Sequence, residues 1–154
     1  MAVSYAAVLF DLYGTLIDDR GEALAGAPAL LRGLGAARWA IVTSCPAELA
    51  LALLARSGLP VPPVLVTSDD VARNKPSPDG YLLAARRLAV EAAAALAIED
   101  SAHGIEAALA AGMDVVAILR GRDPSFARRA SFTAEWPARL VLRADAGAVV
   151  LELE

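Results

Sequence analysis

The 154 residues contain one cysteine, Cys45, so no disulfide can form within the chain. That absence fits a reducing compartment and excludes a disulfide-stapled scaffold. Long hydrophobic runs are missing too: Ala92–Ile98, an apolar stretch of 7 residues, stops at Glu99-Asp100, whereas a spanning helix needs about 20. Met1–Ala7 lacks the basic region and cleavage site of a secretory leader, so the expectation is a cytoplasmic protein without a membrane span. An excess of basic charge is absent, the net charge being −4, which argues against non-specific nucleic-acid binding. Aromatic residues are only 5% of the chain although 57% is hydrophobic. The core is therefore built mostly from Ala, Leu and Val, suited to tight helix-on-sheet packing. No repeat or low-complexity linker divides the chain, and its length fits one domain, residues 1–154.

What is present is an alternation of short β-type runs with segments of helical period, the pattern of a parallel sheet covered on both faces. Strands are expected at Ala6–Asp11, Trp39–Thr43, Val64–Val66, Leu96–Ile98 and Val115–Leu119, with Leu140–Leu142 as a last edge strand. Helices are expected at Glu22–Leu34, Pro46–Ser57, Pro78–Leu88 and Ala102–Ala111, Gly58 and Gly112 acting as stops. Ala146–Leu151 fits either helix or strand.

The polar chemistry falls at one edge of this layout. Asp11, Thr43-Ser44 and Glu99-Asp100 each lie just past the carboxyl end of an apolar strand, where open α/β sheets bind ligands. Each strand then leads through a turn to a helix, whose free N–H groups favour an anion. Asp11, Glu99 and Asp100 would repel one another at close range. A divalent cation together with a positive side chain, for which Lys75 is the candidate, relieves that repulsion. Layout alone thus points to a site for phosphate and magnesium.

The run Val8-Leu9-Phe10-Asp11-Leu12-Tyr13-Gly14-Thr15-Leu16 resembles the first motif of the haloacid dehalogenase-like superfamily. Val42-Thr43-Ser44 resembles the second, Lys75-Pro76 the third, and Ile98-Glu99-Asp100-Ser101 with Gly104 the fourth, in the family's order. The resemblance implies a three-layer Rossmann-like α/β domain, a parallel sheet flanked by helices. It implies that Asp11 is a nucleophile able to form an aspartyl-phosphate, with Tyr13, Thr43 and Lys75 completing the catalytic set. Mg2+ would be held by Asp11, the backbone carbonyl of Tyr13, Asp100 and Glu99, the last directly or through water. Thr15, Thr43, Ser44 and Lys75 would bind the phosphoryl group of a small phosphate ester or of an exposed phosphate on a larger molecule.

Two features depart from the commonest phosphatase form of that family. Tyr13 stands where phosphatases usually carry a second Asp that protonates the leaving oxygen and then activates water, a role worth roughly 10²–10⁴ in rate. Asp-x-Tyr-Gly-Thr instead resembles the 2-haloacid dehalogenases, which attack carbon without a metal, whereas Glu99-Asp100 resembles the metal-binding motif of β-phosphoglucomutase-like members. Second, 32 positions separate Asp11 from Thr43 and 32 separate Thr43 from Lys75. Relatives usually insert a helical cap after the first motif, where this chain has only Ile17–Ala27, so the cap is expected to be absent or vestigial. Losing the cap weakens the dehalogenase reading more, because that chemistry draws a halide-binding arginine from it and Arg20 is the only basic residue in the shortened region.

The resulting expectation is a Mg2+-dependent phosphatase-type hydrolase using Asp11. The alternatives are a 2-haloacid dehalogenase-type hydrolase and a degenerate member that binds phosphate or a protein without turnover. An open site of this kind is compatible with a homodimer that covers it. Elsewhere the expectations are plain: His103 packs at a helix start, Cys45 is a small buried hydrophobe, and Trp39 and Trp136 are packing residues. Asp69-Asp70 form a solvated turn, and Arg120, Arg122, Arg128 and Arg129 a solvated basic cluster.

Overall fold

Every residue of β2, Ala7–Phe10, is buried in the computed structural model, which describes residues 1–152. A strand covered on both faces has to be apolar throughout, and this one is. It sits near the middle of a six-stranded parallel sheet with β3 (Trp39–Val42), β4 (Val64–Val66), β5 (Ala95–Glu99), β6 (Asp114–Ile118) and β7 (Phe132–Ala134). The order is β4-β3-β2-β5-β6-β7. The chain therefore works outward to one side from β2 and to the other from β5, leaving a crevice between their carboxyl ends.

Alternate residues of β2 feed two separate cores. Val8 and Phe10 face the core beneath α1 (Ala27–Gly33) and α2 (Ala47–Ser57), where Phe10 meets Trp39 edge-on at 6.1 Å. Ala7 and Leu9 face the core beneath α3 (Asp79–Arg87) and α4 (Ala102–Ala110), which Tyr81, Ala84, Ile105 and Ala108 complete. The three-layer α/β architecture expected from the alternating pattern is thus present.

The helix expected over Glu22–Leu34 is shorter, since α1 begins only at Ala27. Gly21 and Gly26 both adopt left-handed φ, 78° and 89°, and Leu24 donates its N–H to Leu16 O rather than to a helical partner. Residues 14–26 consequently form a tight set of turns, pinned by Gly14 N–H to Ile17 O and Asp18 N–H to Glu22 O.

The carboxyl-terminal part also differs from expectation. The edge of the main sheet is β7, which was not foreseen, and Leu140–Leu142 leads instead into β8 (Val141–Asp145) of a separate three-stranded antiparallel sheet. Its order is β1-β9-β8, with β1 at Ala2–Tyr5 and β9 at Ala148–Glu152. Ala146 and Gly147 both have positive φ, 49° and 86°, the requirement of a two-residue hairpin turn. The ambiguous segment is therefore strand, and Leu142, Val149 and Leu151 extend the core under α1. Among the described residues no helix is long and apolar enough to cross a membrane.

Candidate active site

Asp11 follows β2 directly, and its N–H is held by Ile98 O at 3.0 Å. Asp100 follows β5, so the parallel pairing of the two strands brings the two carboxylates to one edge. Asp11, Glu99 and Asp100 each offer an oxygen within 4.8 Å of the others, and all three residues are buried.

Lys75 joins this acidic group from the loop before α3. Its Nζ donates to Asp11 Oδ1 at 2.8 Å, Glu99 Oε1 at 2.7 Å and Val42 O at 2.8 Å, using all three ammonium protons. Burial works to lower the Lys75 pKa, but the charges of Asp11 and Glu99 outweigh it and hold the ammonium well above its ordinary range. Glu99 is fully buried and is pushed up to about 7 by that burial and by Asp11, with Lys75 opposing. Asp100 is also raised to about 7, by burial and by the Asp11 charge. Two cations face three carboxylates here, Lys75 on Asp11 and Glu99 and Arg122 at 3.9 Å from Asp100. Hard oxygen donors in such excess suit a small divalent ion, and the donor set therefore fits magnesium.

Two glycines make room for the acids. A Cβ on Gly104, in the first turn of α4, would overlap the Glu99 carboxylate, and one on Gly14 would overlap Asp100. Gly14 also has φ +83°, which side chains other than glycine rarely adopt. Thr15 lies between the acids, its Oγ1 3.2 Å from Asp11 Oδ2 and 3.5 Å from Asp100 Oδ1. It is fully buried, so it braces the carboxylates from beneath.

Above them opens a cavity of about 410 Å³ that exposes Asp11, Lys75 and Asp100 together with Thr43, Ser44 and Tyr13. Thr43 is positioned by its N–H bond to Val66 O at 2.9 Å, and its hydroxyl lies 3.2 Å from Cys45 Sγ. Cys45 is only half-buried and lines the cavity. His103 is likewise exposed on the cavity wall, not packed at the helix start as expected. Arg20 is exposed, its N–H bonded to Asp18. Trp136 is 42% exposed, contrary to a packing role, while Trp39 is buried. Asp69 and Asp70 are not simply solvated: Asp69 accepts the N–H of Ala47, the first residue of α2, and Asp70 accepts from both the N–H and the hydroxyl of Thr67.

Two residues with no assigned role complete the surroundings. The Tyr81 hydroxyl, on α3, donates to Glu99 Oε1 at 2.5 Å, and burial with the Glu99 charge keeps the phenol protonated well beyond its normal range. Arg122 donates Nη2 to Asp100 O and Ile118 O, both at 2.8 Å, and Nε to Leu119 O at 2.9 Å. Its Nη2 lies 3.9 Å from Asp100 Oδ2, and its guanidinium stacks on Phe126. The arginine expected to be a solvated charge instead ties the Asp100 turn to the end of β6.

Residues 19–112 match the family model of the haloacid dehalogenase-like hydrolases. The chain belongs to that family. The matched span holds Thr43, Lys75, Glu99 and Asp100 and begins after Asp11. Among relatives of this haloacid dehalogenase-like chain, hexitol phosphatase A of Escherichia coli K12 is 45% identical over 98 residues, covering 62% of this chain and 45% of the relative. The plasmid phosphoglycolate phosphatase of Cupriavidus necator is 37% identical over 110 residues, 68% of this chain and 48% of that protein. The chain thus spans about half the length of these curated relatives. In solved structures, a CbbY variant of Rhodobacter sphaeroides in complex with xylulose-(1,5)bisphosphate superposes with TM-score 0.69 at 30% identity, covering 77% of this chain and 56% of the other. CbbY of the same organism in complex with phosphate matches with TM-score 0.77 over 87% of this chain and 95% of that one, at 22% identity, a likeness of fold.

Proposed function

We propose that this chain hydrolyses phosphomonoesters with Asp11 as nucleophile and Mg2+ as cofactor. The observation that carries the reading is the Lys75 ammonium bridging Asp11 and Glu99, with Asp100 close enough to share a cation with them. Asp11, Asp100 and the Tyr13 carbonyl would hold the ion. Glu99 would act mainly through Lys75, because its oxygens already accept from Lys75, Tyr81 and the Asp100 N–H. When bound, magnesium supplies charge neutralisation for the phosphoryl oxygens and for the crowded carboxylates.

The residues of the chain divide the rest of the work. Thr43 and Ser44 orient the phosphoryl group at the floor of the cavity, and the charge of the Lys75 ammonium offsets that of the phosphoryl oxygens. An Asp11 carboxylate oxygen attacks phosphorus, the bond from phosphorus to the ester oxygen breaks, and the departing alkoxide takes a proton. Water then attacks the aspartyl-phosphate, releasing inorganic phosphate and restoring Asp11. No second carboxylate stands at position 13, so leaving-group protonation falls to the Tyr13 phenol or to solvent in the open cavity, and turnover is slow. Residues 17–27 stand in place of a cap, a reading supported by the turns that carry the chain from Gly14 straight to α1.

Attack at carbon on a 2-haloacid finds no support in so acid-rich a centre or among the phosphatase-named relatives. The reading is tested with p-nitrophenyl phosphate and Mg2+: turnover must exceed that of Asp11→Asn, and equal rates for the two proteins overturn it.

A further inference from the structure

We propose that the mouth of the cavity over Asp11 is an apolar leaving-group subsite, so that the substrates are phosphate monoesters of alkyl or aryl alcohols. This rests on the reading of Asp11 and Lys75 as the phosphoryl site.

A phosphoryl group held at the cavity floor directs its ester oxygen, and whatever that oxygen carries, toward the mouth. Tyr13, Cys45, Leu49 and Leu53 line that cavity. Leu49 and Leu53 are one helical turn apart on α2 and share a stripe, while Ala50 and Leu54 of the same helix fill the core. Tyr13 is 47% exposed and Leu49 49% exposed, a large share for residues of their size beside buried charges. Behind Leu53 the Gly21 turn packs close, a Cβ there falling 3.1 Å from both Leu53 Cδ2 and Arg56 Cδ.

The polar part of the lining points the same way. Lys75 is the sole lysine or arginine among the lining residues, and its three protons are taken by Asp11, Val42 and Glu99. No cation of the lining remains for a second phosphate or a carboxylate on the substrate. For the hydroxyls of a polyol the mouth offers Ser44, Ser101, His103 and the phenol at the rim of the Tyr13 ring. An apolar group gains contact with Tyr13 and the two leucines, whereas an acidic one would be desolvated without a partner.

Calorimetry with non-hydrolysable phosphonates in the presence of Mg2+ tests this whether or not the protein turns over. Hexylphosphonate is expected to bind about tenfold or more tightly than methylphosphonate, and phosphonoacetate no better than methylphosphonate. In Leu49→Ser, an exposed position, the hexyl advantage is expected to fall to about twofold. Equal binding of the hexyl and methyl ligands by the wild type overturns the inference, and methyl phosphate turnover in that protein would leave the hydrolase reading standing. A hexyl preference without turnover of hexyl phosphate supports the subsite and sinks the hydrolase reading. Sedimentation as a dimer that Leu49→Ser dissolves, with no hexyl preference, assigns the leucine stripe to a second copy and also overturns it.

Discussion

Lys75 Nζ and Glu99 Oε1 lie 2.7 Å apart, with Glu99 wholly buried. Removing one member of such a pair strands the other as an uncompensated charge, at a cost of about 3–5 kcal/mol. Lys75→Met is therefore expected to lower unfolding free energy by that order, read from urea titration. A variant as stable as the wild type would show that the pair does not organise the site.

Crowded acids also set a pH dependence in the metal-free protein. Glu99 and Asp100 titrate near 7 when folded, raised by burial and by Asp11, whereas unfolded carboxylates titrate near 4. Between these values the native state holds more protons than the unfolded one, so stability falls as pH rises. With chelator present, the protein is expected to be more stable at pH 5.5 than at pH 8, by on the order of 2 kcal/mol. Added Mg2+ should narrow the gap. A chelated protein that gains stability across this window would contradict the proposed charge balance.

Gly104 lies against Glu99 so closely that any side chain collides. Gly104→Ala is expected to cost about 1–3 kcal/mol in chemical denaturation, as overpacking does. The same change should weaken Mg2+ binding, because the displaced carboxylate belongs to the acidic group. Unchanged stability together with unchanged Mg2+ affinity would count against this packing.

Arg122 holds the Asp100 carbonyl and the carbonyls ending β6. Partners of this kind, behind a residue proposed to hold a metal, typically matter by 10–100-fold in affinity. Arg122→Met is expected to raise the Mg2+ dissociation constant at least about tenfold, measured by calorimetry. Retention of wild-type affinity would reduce Arg122 to a structural tie.

Much of this site was legible because strand ends leave a local signature. Asp11, Thr43 and Asp100 each follow a short apolar run, and a parallel sheet gathers such ends whatever the details of packing. The partners of those residues left no such mark. Tyr81 reaches Glu99 across 18 positions and Arg122 reaches Asp100 across 22, contacts that only the assembled layers create. Leu24, Leu30, Leu31 and Leu34 have helical spacing, yet Gly21 and Gly26 with positive φ hold the first part of that stretch in turns. β7 is three residues long with no buried member, too short for any periodicity to register. Its place at a helix start suggests packing for His103, yet its exposure depends on which side of α4 faces the cavity.

The proposed substitute for a general acid is also open to trial. Tyr13→Asp places a carboxylate where the usual acid–base stands, so kcat on an alkyl phosphate is expected to rise by about 10² or more. A fall in rate would show that the phenol itself is needed.

On the proposed function, Asp11 carries the phosphoryl group during turnover. Acid-quenching the protein in the steady state with Mg2+ and acetyl phosphate, followed by peptide mass spectrometry, measures this directly. One added phosphoryl group is expected on the peptide containing Asp11, lost in Asp11→Asn along with activity. Undiminished phosphate release by Asp11→Asn, or phosphoryl found on another residue, would contradict it.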